Sequence, residues 1–122
     1  MKFNNYEIYQ TANTLMQIFD NLDIYIPAKA NFFIQKNIEM LAAAAQEIEK
    51  SRIEIAKHYG ILDEKNQQYT IPEDKIDEAS KELNDLFSIE QEFDIKTFSI
   101  DTLGNIEFTP TQMQAIMFMI ED

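Results

Sequence analysis

The stretch "LAAAAQEIEKSRIEIAKHYG", residues 41–60, reads as helix from end to end, and the architecture of the chain depends on it. Alanine, glutamate and lysine are strong helix formers, and glycine is common just past a helix end, often in a left-handed conformation. The helical pattern extends upstream to Pro27, a residue type that suits a first helical turn. We therefore expect one helix from residue 27 or 28 to residue 59, with a left-handed Gly60 after it.

Apolar side chains recur along this helix at heptad spacing, with one gap at Arg52. They are Ile34, Ile38, Leu41, Ala45, Ile48, Ile55 and Tyr59. Such a seam can support a coiled coil, so one interpretation is a homodimer through the long helix. A second apolar set lies beside the seam, formed by Phe33, Met40 and Ala44. It makes the N-terminal half apolar over a wide arc, which favours the central core helix of a small domain. A third interpretation combines the two, with one half of the helix in the core and the other half in an intermolecular seam.

Three further helices are predicted, over residues 5–21, 72–89 and 110–121, the last capped by Thr109. Alternating apolar and polar residues on either side of Gly104 predict two short strands around a turn. Residues 67–72 and 1–3 could add two more strands. The expected fold is mainly α (α+β), with four helices, one of them long and central, and a small antiparallel β element near residues 93–108.

Length and composition point to one helical domain over residues 1–122. The chain has no cysteine, which rules out disulfides and thiolate metal sites and fits a reducing compartment. The first ten residues lack the features of a signal peptide, and no apolar run reaches the length of a membrane span. We expect a soluble protein that stays inside the cell and has no membrane partner.

Charge is unevenly distributed along the chain. There are 22 acidic against 10 basic residues, for a net charge of −12, so direct binding to nucleic acid is disfavoured. Residues 73–94 carry nine acids against two lysines: Glu73, Asp74, Asp77, Glu78, Glu82, Asp85, Glu90, Glu92 and Asp94. The ordinary interpretation is a solvated surface. The alternative is that these acids imitate a line of phosphates and bind a basic partner surface.

Residues with catalytic or metal-binding chemistry are sparse. His58 is the single histidine, and at the end of the long helix it suits an interaction with the helix dipole. The acids show no calcium-loop spacing, and two isolated glycines cannot form a phosphate-binding loop. We expect no enzyme, no metal and no cofactor. The Met-rich end "QMQAIMFMIED", residues 112–122, favours core packing, and any exposed part of it is a candidate partner site.

The order of features resembles a family of small proteins of unknown function encoded by tailed bacteriophages and prophages of Gram-positive and gut bacteria. The segments that carry the resemblance are "YIPAKANFFIQKNIEML", "EIEKSRIEIAKHYG", "DEKNQQYTIPEDKIDEASKELNDLF", "IEQEFDI" and "TPTQMQAIMFMIED". The resemblance implies a phage gene expressed in the cytoplasm of the bacterial host. It supplies no site residues.

Two hypotheses follow. The first is a non-enzymatic inhibitor that binds a host defence nuclease as a nucleic-acid mimic, of the anti-CRISPR or anti-restriction type. The second is an accessory protein in virion morphogenesis, which binds another phage protein through helix–helix contacts. Each requires a protein partner.

Overall fold

The computed structural model describes residues 1–121 and confirms the predicted fold class, mainly helical with small antiparallel sheets. Its four α-helices are α1 (Asn5–Asp20), α2 (Ala28–Tyr59), α3 (Ile76–Phe87) and α4 (Pro110–Ile116). Asp122, the last residue of the predicted domain, lies outside the described residues. α2 has 32 residues, which makes it about 48 Å long at 1.5 Å per residue.

α1 packs along the N-terminal part of α2, and α3 packs along its C-terminal part. The Tyr9 hydroxyl near the start of α1 bonds to Glu49, while Phe19 near its end lines the same cavity as Asn31, so α1 runs antiparallel to α2. α3 covers the other half of α2, and its C-terminal end meets the start of α1. Asn5 holds this junction, because its side-chain amide donates to the Leu86 carbonyl at 2.8 Å.

The main core lies between α1 and the N-terminal half of α2. Its fourteen buried residues are Ile8, Ala12, Leu15, Ile26, Ala30, Ile34, Ile38, Leu41, Ala45, Ile48, Phe98, Leu103, Ile116 and Met119. Five of the seven seam residues of α2 belong to this set, so the core interpretation of its N-terminal half is confirmed. Ile55 and Tyr59 are only half-buried. In the Met-rich end, Ile116 and Met119 are fully buried, whereas Met117 is exposed.

The strands are short and pair in three places. β1 (Lys2–Asn4) pairs antiparallel with β4 (Glu90–Glu92), and β2 (Ile61–Asp63) pairs antiparallel with β3 (Gln68–Thr70). β5 (Phe98–Ser99) pairs parallel with β6 (Ile120–Glu121). The predicted strands at residues 1–3 and 67–72 are therefore present, within a residue or two.

The predicted placement of the antiparallel element near residues 93–108 was wrong. Residues Ile100–Leu103 form a 3-10 turn that ends at Gly104, so no hairpin forms around this glycine. The preceding segment is held instead by the buried Asn37, whose amide accepts from the Lys96 N–H and donates to the Lys96 carbonyl, both at 2.8 Å. A side chain thus takes the hydrogen bonds that a neighbouring strand would have supplied.

Two predicted helix ends also differ. Residues Glu73–Lys75 form a 3-10 turn before α3. α4 begins after the predicted cap Thr109, with which Gln112 forms a capping box, but ends at Ile116, after which Met117–Met119 form a 3-10 turn. The chain then extends because Ile120 and Glu121 pair with β5.

Gly60 is not left-handed, contrary to the prediction, since its φ is −99° and its ψ 164°. The glycine is needed for space: a Cβ there would lie 2.5 Å from the Ala56 carbonyl oxygen and 3.0 Å from Tyr69 Cβ. Gly104, with φ +68°, does adopt the positive-φ conformation that favours glycine. Among residues 1–121, no helix is both long and apolar enough to cross a membrane.

Candidate functional site

The nine acids of residues 73–94 are all exposed to solvent. Glu73 and Asp74 lie on the 3-10 turn before α3, and Glu90 and Glu92 lie on β4. The remaining four on α3 form one group, which we call the acidic face: Asp77, Glu78, Glu82 and Asp85. The structure thus places eight of the nine predicted partner-binding residues on three successive elements, and Asp94 follows β4 in an irregular segment.

The acidic face lies opposite the packed side of α3. At 100° per residue its four carboxylates fall within an arc of about 140°. Ala79, Leu83 and Leu86 point the other way and are buried or half-buried. Asp77 and Glu78 are in the first turn, where negative charge interacts favourably with the helix dipole.

Most of these carboxylates have no cationic partner among residues 1–121. Glu78 lies 4.0 Å from Lys75, Glu92 lies 2.8 Å from the N-terminal ammonium, and Asp94 lies 2.8 Å from Lys96. Hydrogen bonds from these cations lower the pKa of Glu92 and Asp94. The other six acids make no ion pair within the described part of the chain. Their charge therefore faces solvent and can act on a partner.

A half-buried polar network connects α1 to α2. The Tyr9 hydroxyl donates to Glu49 Oε2 at 3.0 Å, and Arg52 Nε donates to the same oxygen at 3.0 Å. The hydrogen bond to Glu49 raises the pKa of Tyr9, and the hydrogen bond from Arg52 lowers the pKa of Glu49. The tyrosine is thereby held neutral and the carboxylate ionised.

A second surface feature lies on the outer side of the junction between α1 and α3. It is an open groove of about 1000 Å³, which we call the aromatic–amide groove. Three aromatic rings line it, those of Tyr6, Tyr9 and Phe87, and Phe87 meets each tyrosine edge to face with ring centroids 6.4 and 6.2 Å apart. The remaining lining side chains are amides and hydroxyls, and none of the ten is charged.

The polar wall of this groove is a stripe on α1. Its members, Gln10, Asn13, Thr14 and Gln17, have the i, i+3, i+4, i+7 spacing of one helix face. From α3, Asn84 and Ser88 face them across the groove. The side chains of Thr14, Gln17 and Asn84 make no hydrogen bond with another residue of the range 1–121, so they are free to bind.

The sequence interpretation missed this groove. The uncharged stripe on α1 is visible in the sequence, because its spacing is regular and the neighbouring surface residues Glu7 and Asp20 are charged. The opposite wall comes from α3, about 70 residues further along, and only the packed structure shows that the two helices meet.

Residues with metal-binding chemistry do not come together in the range 1–121: no three of its histidine, cysteine and carboxylate side chains are placed to hold an ion. His58 is exposed, and its ring lies edge to face with Tyr59 at 4.6 Å. At the same end of α2, the neighbouring Glu82 carboxylate raises the pKa of Tyr59. No known family model, curated protein or solved structure matches this chain.

Proposed function

We propose that this chain is a phage-encoded, non-enzymatic protein that binds a basic surface of a partner protein through α3 and the elements next to it. The natural partner is a bacterial defence nuclease, of the CRISPR or restriction type, whose nucleic-acid groove is positively charged. The observation that supports this function is the exposure of all nine acids, most of them without an ion-pair partner in residues 1–121.

The geometry of α3 favours a role as a nucleic-acid mimic. The carboxylates of the acidic face follow the helix, where successive turns are about 5.4 Å apart, so they present negative charge at intervals of several ångströms. The packed side of α3 fixes the orientation of this row. A basic groove that normally holds a phosphate backbone can accept such a row without any reaction taking place.

A DNA-cleavage assay with a panel of purified CRISPR and restriction nucleases tests the proposal. The wild-type protein should inhibit at least one nuclease, and inhibition should weaken steeply as salt rises, because the Debye length falls to about 10 Å at 0.1 M and about 3 Å at 1 M. The variant Asp77→Asn/Glu78→Gln/Glu82→Gln/Asp85→Asn should lose the inhibition.

A matched control removes four exposed acids elsewhere, in the variant Glu39→Gln/Glu47→Gln/Glu54→Gln/Glu64→Gln. It changes the net charge equally and should inhibit almost as well as the wild type. Equal loss in both variants would point to net charge alone, and inhibition that survives neutralisation of the acidic face would contradict the proposal.

The alternative, an accessory role in virion assembly, is favoured by the apolar surface at the far end of α2. Leu62 and Tyr69, which pair across the β2–β3 hairpin, are exposed there, and Tyr69 lines the same cavity as the exposed Ile53 of α2. A packing interface at this site should respond little to salt. The homodimer through α2 belongs to the same alternative, and sedimentation of wild-type and Ile53→Lys proteins tests it.

A further inference from the structure

We propose that the aromatic–amide groove between α1 and α3 binds a neutral oligosaccharide. This inference goes beyond the proposed function and does not rest on it, because no residue of the acidic face lines the groove. The volume of about 1000 Å³ is at the upper end of the range for small-molecule sites. It can therefore accept a chain of several sugar units rather than one.

The aromatic rings supply the apolar half of the site. Tyr6 is 54% exposed, and its edge-to-face contact with Phe87 occupies at most one face of its ring. The face of an aromatic ring is electron-rich and attracts the weakly positive C–H groups of a neighbouring molecule. A pyranose ring carries such C–H groups on its flat faces, so Tyr6 is a platform on which a sugar can stack.

The stripe on α1 supplies the polar half. Each amide of Gln10, Asn13 and Gln17 offers both a donor and an acceptor, and the Thr14 hydroxyl can do either. Sugar hydroxyls have the same double capacity and occur on neighbouring carbons. Gln10 already donates one amide N–H to the Tyr6 hydroxyl at 2.7 Å, which leaves its second N–H and its oxygen for a ligand. The side chains of Thr14, Gln17 and Asn84 have no hydrogen-bond partner in the range 1–121, so a ligand can bind them without breaking an existing bond.

The spacing of the stripe matches a repeating ligand. Gln10, Asn13/Thr14 and Gln17 lie on successive helical turns, each about 5.4 Å from the next. This rise is close to the length of one hexose unit in an extended chain. Consecutive sugar units can therefore meet equivalent hydrogen-bonding groups.

The net charge of the protein and the uncharged lining of the groove favour a neutral ligand. The protein has a net charge of −12, which repels phosphorylated or uronic-acid-containing chains. A cationic ligand would find no carboxylate among the residues that line the groove. An uncharged polyhydroxylated chain meets neither difficulty.

A proline-rich peptide fits the groove less well, although such peptides also bind to aromatic rings. Proline has no backbone N–H, so a peptide of this kind offers mainly carbonyl acceptors and leaves the amide oxygens of the stripe unpaired. Its repeat also differs, because a polyproline II helix advances about 9 Å per turn of three residues.

Binding can be tested with four neutral probes: cellotetraose, chitotetraose, maltotetraose and a linear mannotetraose. Each is titrated into the full chain and followed by calorimetry and by NMR chemical shifts of the groove residues. At least one probe should bind saturably and shift the resonances of Tyr6, Gln17 and Asn84. The variant Tyr6→Ala should weaken this binding about tenfold, since an aromatic contact is lost.

Two further variants complete the test. Gln17→Ala/Asn84→Ala should also weaken binding, by up to about tenfold for each hydrogen bond lost. Tyr25→Ala, which removes a ring that is 82% exposed and lies outside the groove, should leave binding unchanged. The proposal is overturned if none of the four probes binds, if Tyr6→Ala binds as well as the wild type, or if decaproline binds the groove in their place.

Discussion

Asn37 shows how one buried side chain can fix a segment that has no regular structure. Its amide is fully buried and pairs with both backbone groups of Lys96, a residue in the extended run before β5. Asn5 has a similar role at the other end of the molecule, where it accepts from Gln91 and donates to the Leu86 carbonyl. In both cases a buried asparagine of a helix binds a segment distant in the sequence, and its own side-chain atoms are paired.

Replacing Asn37 with alanine should therefore be costly. The variant leaves the Lys96 N–H and carbonyl without their partner, and each such group costs about 1–3 kcal/mol when it is kept from water. We expect a loss of about 2–4 kcal/mol in the free energy of unfolding, measured by urea titration. Asn66→Ala, at an exposed turn, is the control and should change stability by less than about 0.5 kcal/mol. Equal effects of the two changes would refute the role given to Asn37.

The network of Tyr9, Glu49 and Arg52 predicts a pH dependence of stability. The pKa of Glu49 is lowered in the folded protein from its ordinary 4.5, so its stabilising contribution is complete above pH 4.5 and is lost as the pH falls through the lowered value. Glu49→Gln should reduce stability by about 1 kcal/mol at pH 7, since the pair is partly exposed, and by much less at pH 3.

Urea titrations of wild type and Glu49→Gln at the two pH values check this expectation. Glu47→Gln removes a neighbouring exposed acid that lies 3.9 Å from Lys50 and should have little effect at pH 7. A difference in the free energy of unfolding between wild type and Glu49→Gln that is as large at pH 3 as at pH 7 would contradict this role of the ionised Glu49. The raised pKa of Tyr9 gives a contribution to stability that is constant below pH 10.0, so it adds no pH dependence in this acidic range.

The sequence predicted the environment of some residues and not of others. The exposure of Asp77, Glu78 and Glu82 was predictable, because their helical spacing sets them apart from Ala79 and Leu83. The roles of Asn5 and Asn37 were not, since their partners are distant in the sequence and an asparagine in a helix is usually exposed. The same limit applies to the groove, whose two walls are about 70 residues apart in the sequence.

At the scale of elements, Gly60 connects the long helix to the hairpin that follows it. The backbone becomes extended at Gly60, whose N–H still donates to the Ala56 carbonyl, and a Cβ on Gly60 would meet that carbonyl and the Tyr69 side chain. A side chain at this position would push α2 and β3 apart. Glycine is thus required here by close packing rather than by an unusual backbone angle.

Gly60→Ala is expected to displace the β2–β3 hairpin. The added Cβ would sit 2.5 Å from a backbone oxygen, which cannot move without unwinding the last turn of α2. NMR shifts of residues 56–70 should change widely and stability should fall by about 1–3 kcal/mol. Ser51→Ala, at an exposed position earlier on α2, should leave those shifts unchanged. Unaltered hairpin shifts in Gly60→Ala would rule out this packing role.

Strong local patterns predicted the helices better than the strands. The seam of α2 and the Thr109 cap of α4 depend on residues that are near one another in the sequence, and the starts of both helices were predicted correctly. The strands have only two or three residues each, so their partners are chosen by tertiary contacts rather than by alternation. This explains why β5 pairs with β6 instead of with the residues directly after Gly104.

At the scale of the whole molecule, buried apolar residues are concentrated at one end of α2. The main core contacts α2 over residues 30–48, whereas Ala79 is the only buried apolar residue outside that cluster within residues 1–121. All ten residues from Ile61 to Thr70 are exposed. Stability should accordingly be uneven along the long helix.

Leu41→Ala should destabilise the whole protein, because Leu41 is fully buried near the middle of the core. Removing a buried leucine side chain typically costs about 2–5 kcal/mol, a large share of the total stability of a domain. Leu62→Ala, in the exposed hairpin, should cost less than about 1 kcal/mol. Urea unfolding followed by circular dichroism distinguishes the two variants. Similar losses in the free energy of unfolding would contradict this location of the core.

Hydrogen exchange offers an independent test of the uneven stability. Amides of the β2–β3 hairpin should exchange through local opening, well before those of residues 34–48, since few apolar contacts hold the hairpin in place. Exchange measured at increasing urea should show that the hairpin amides are insensitive to denaturant. Protection of the hairpin equal to that of the core would contradict this expectation.

The pairing of β1 with β4 has a consequence for how the chain acquires its structure. Asn5 and Gln91, which bond across this junction, are 86 positions apart in the sequence. During synthesis on the ribosome, α1 and α2 can associate early, but the start of α1 must wait for most of the remaining chain before its last contacts form. Closing so long a loop costs conformational entropy before the contacts that offset this cost have formed. Refolding should therefore be slower than in a helical bundle whose contacts join helices that are adjacent in the sequence.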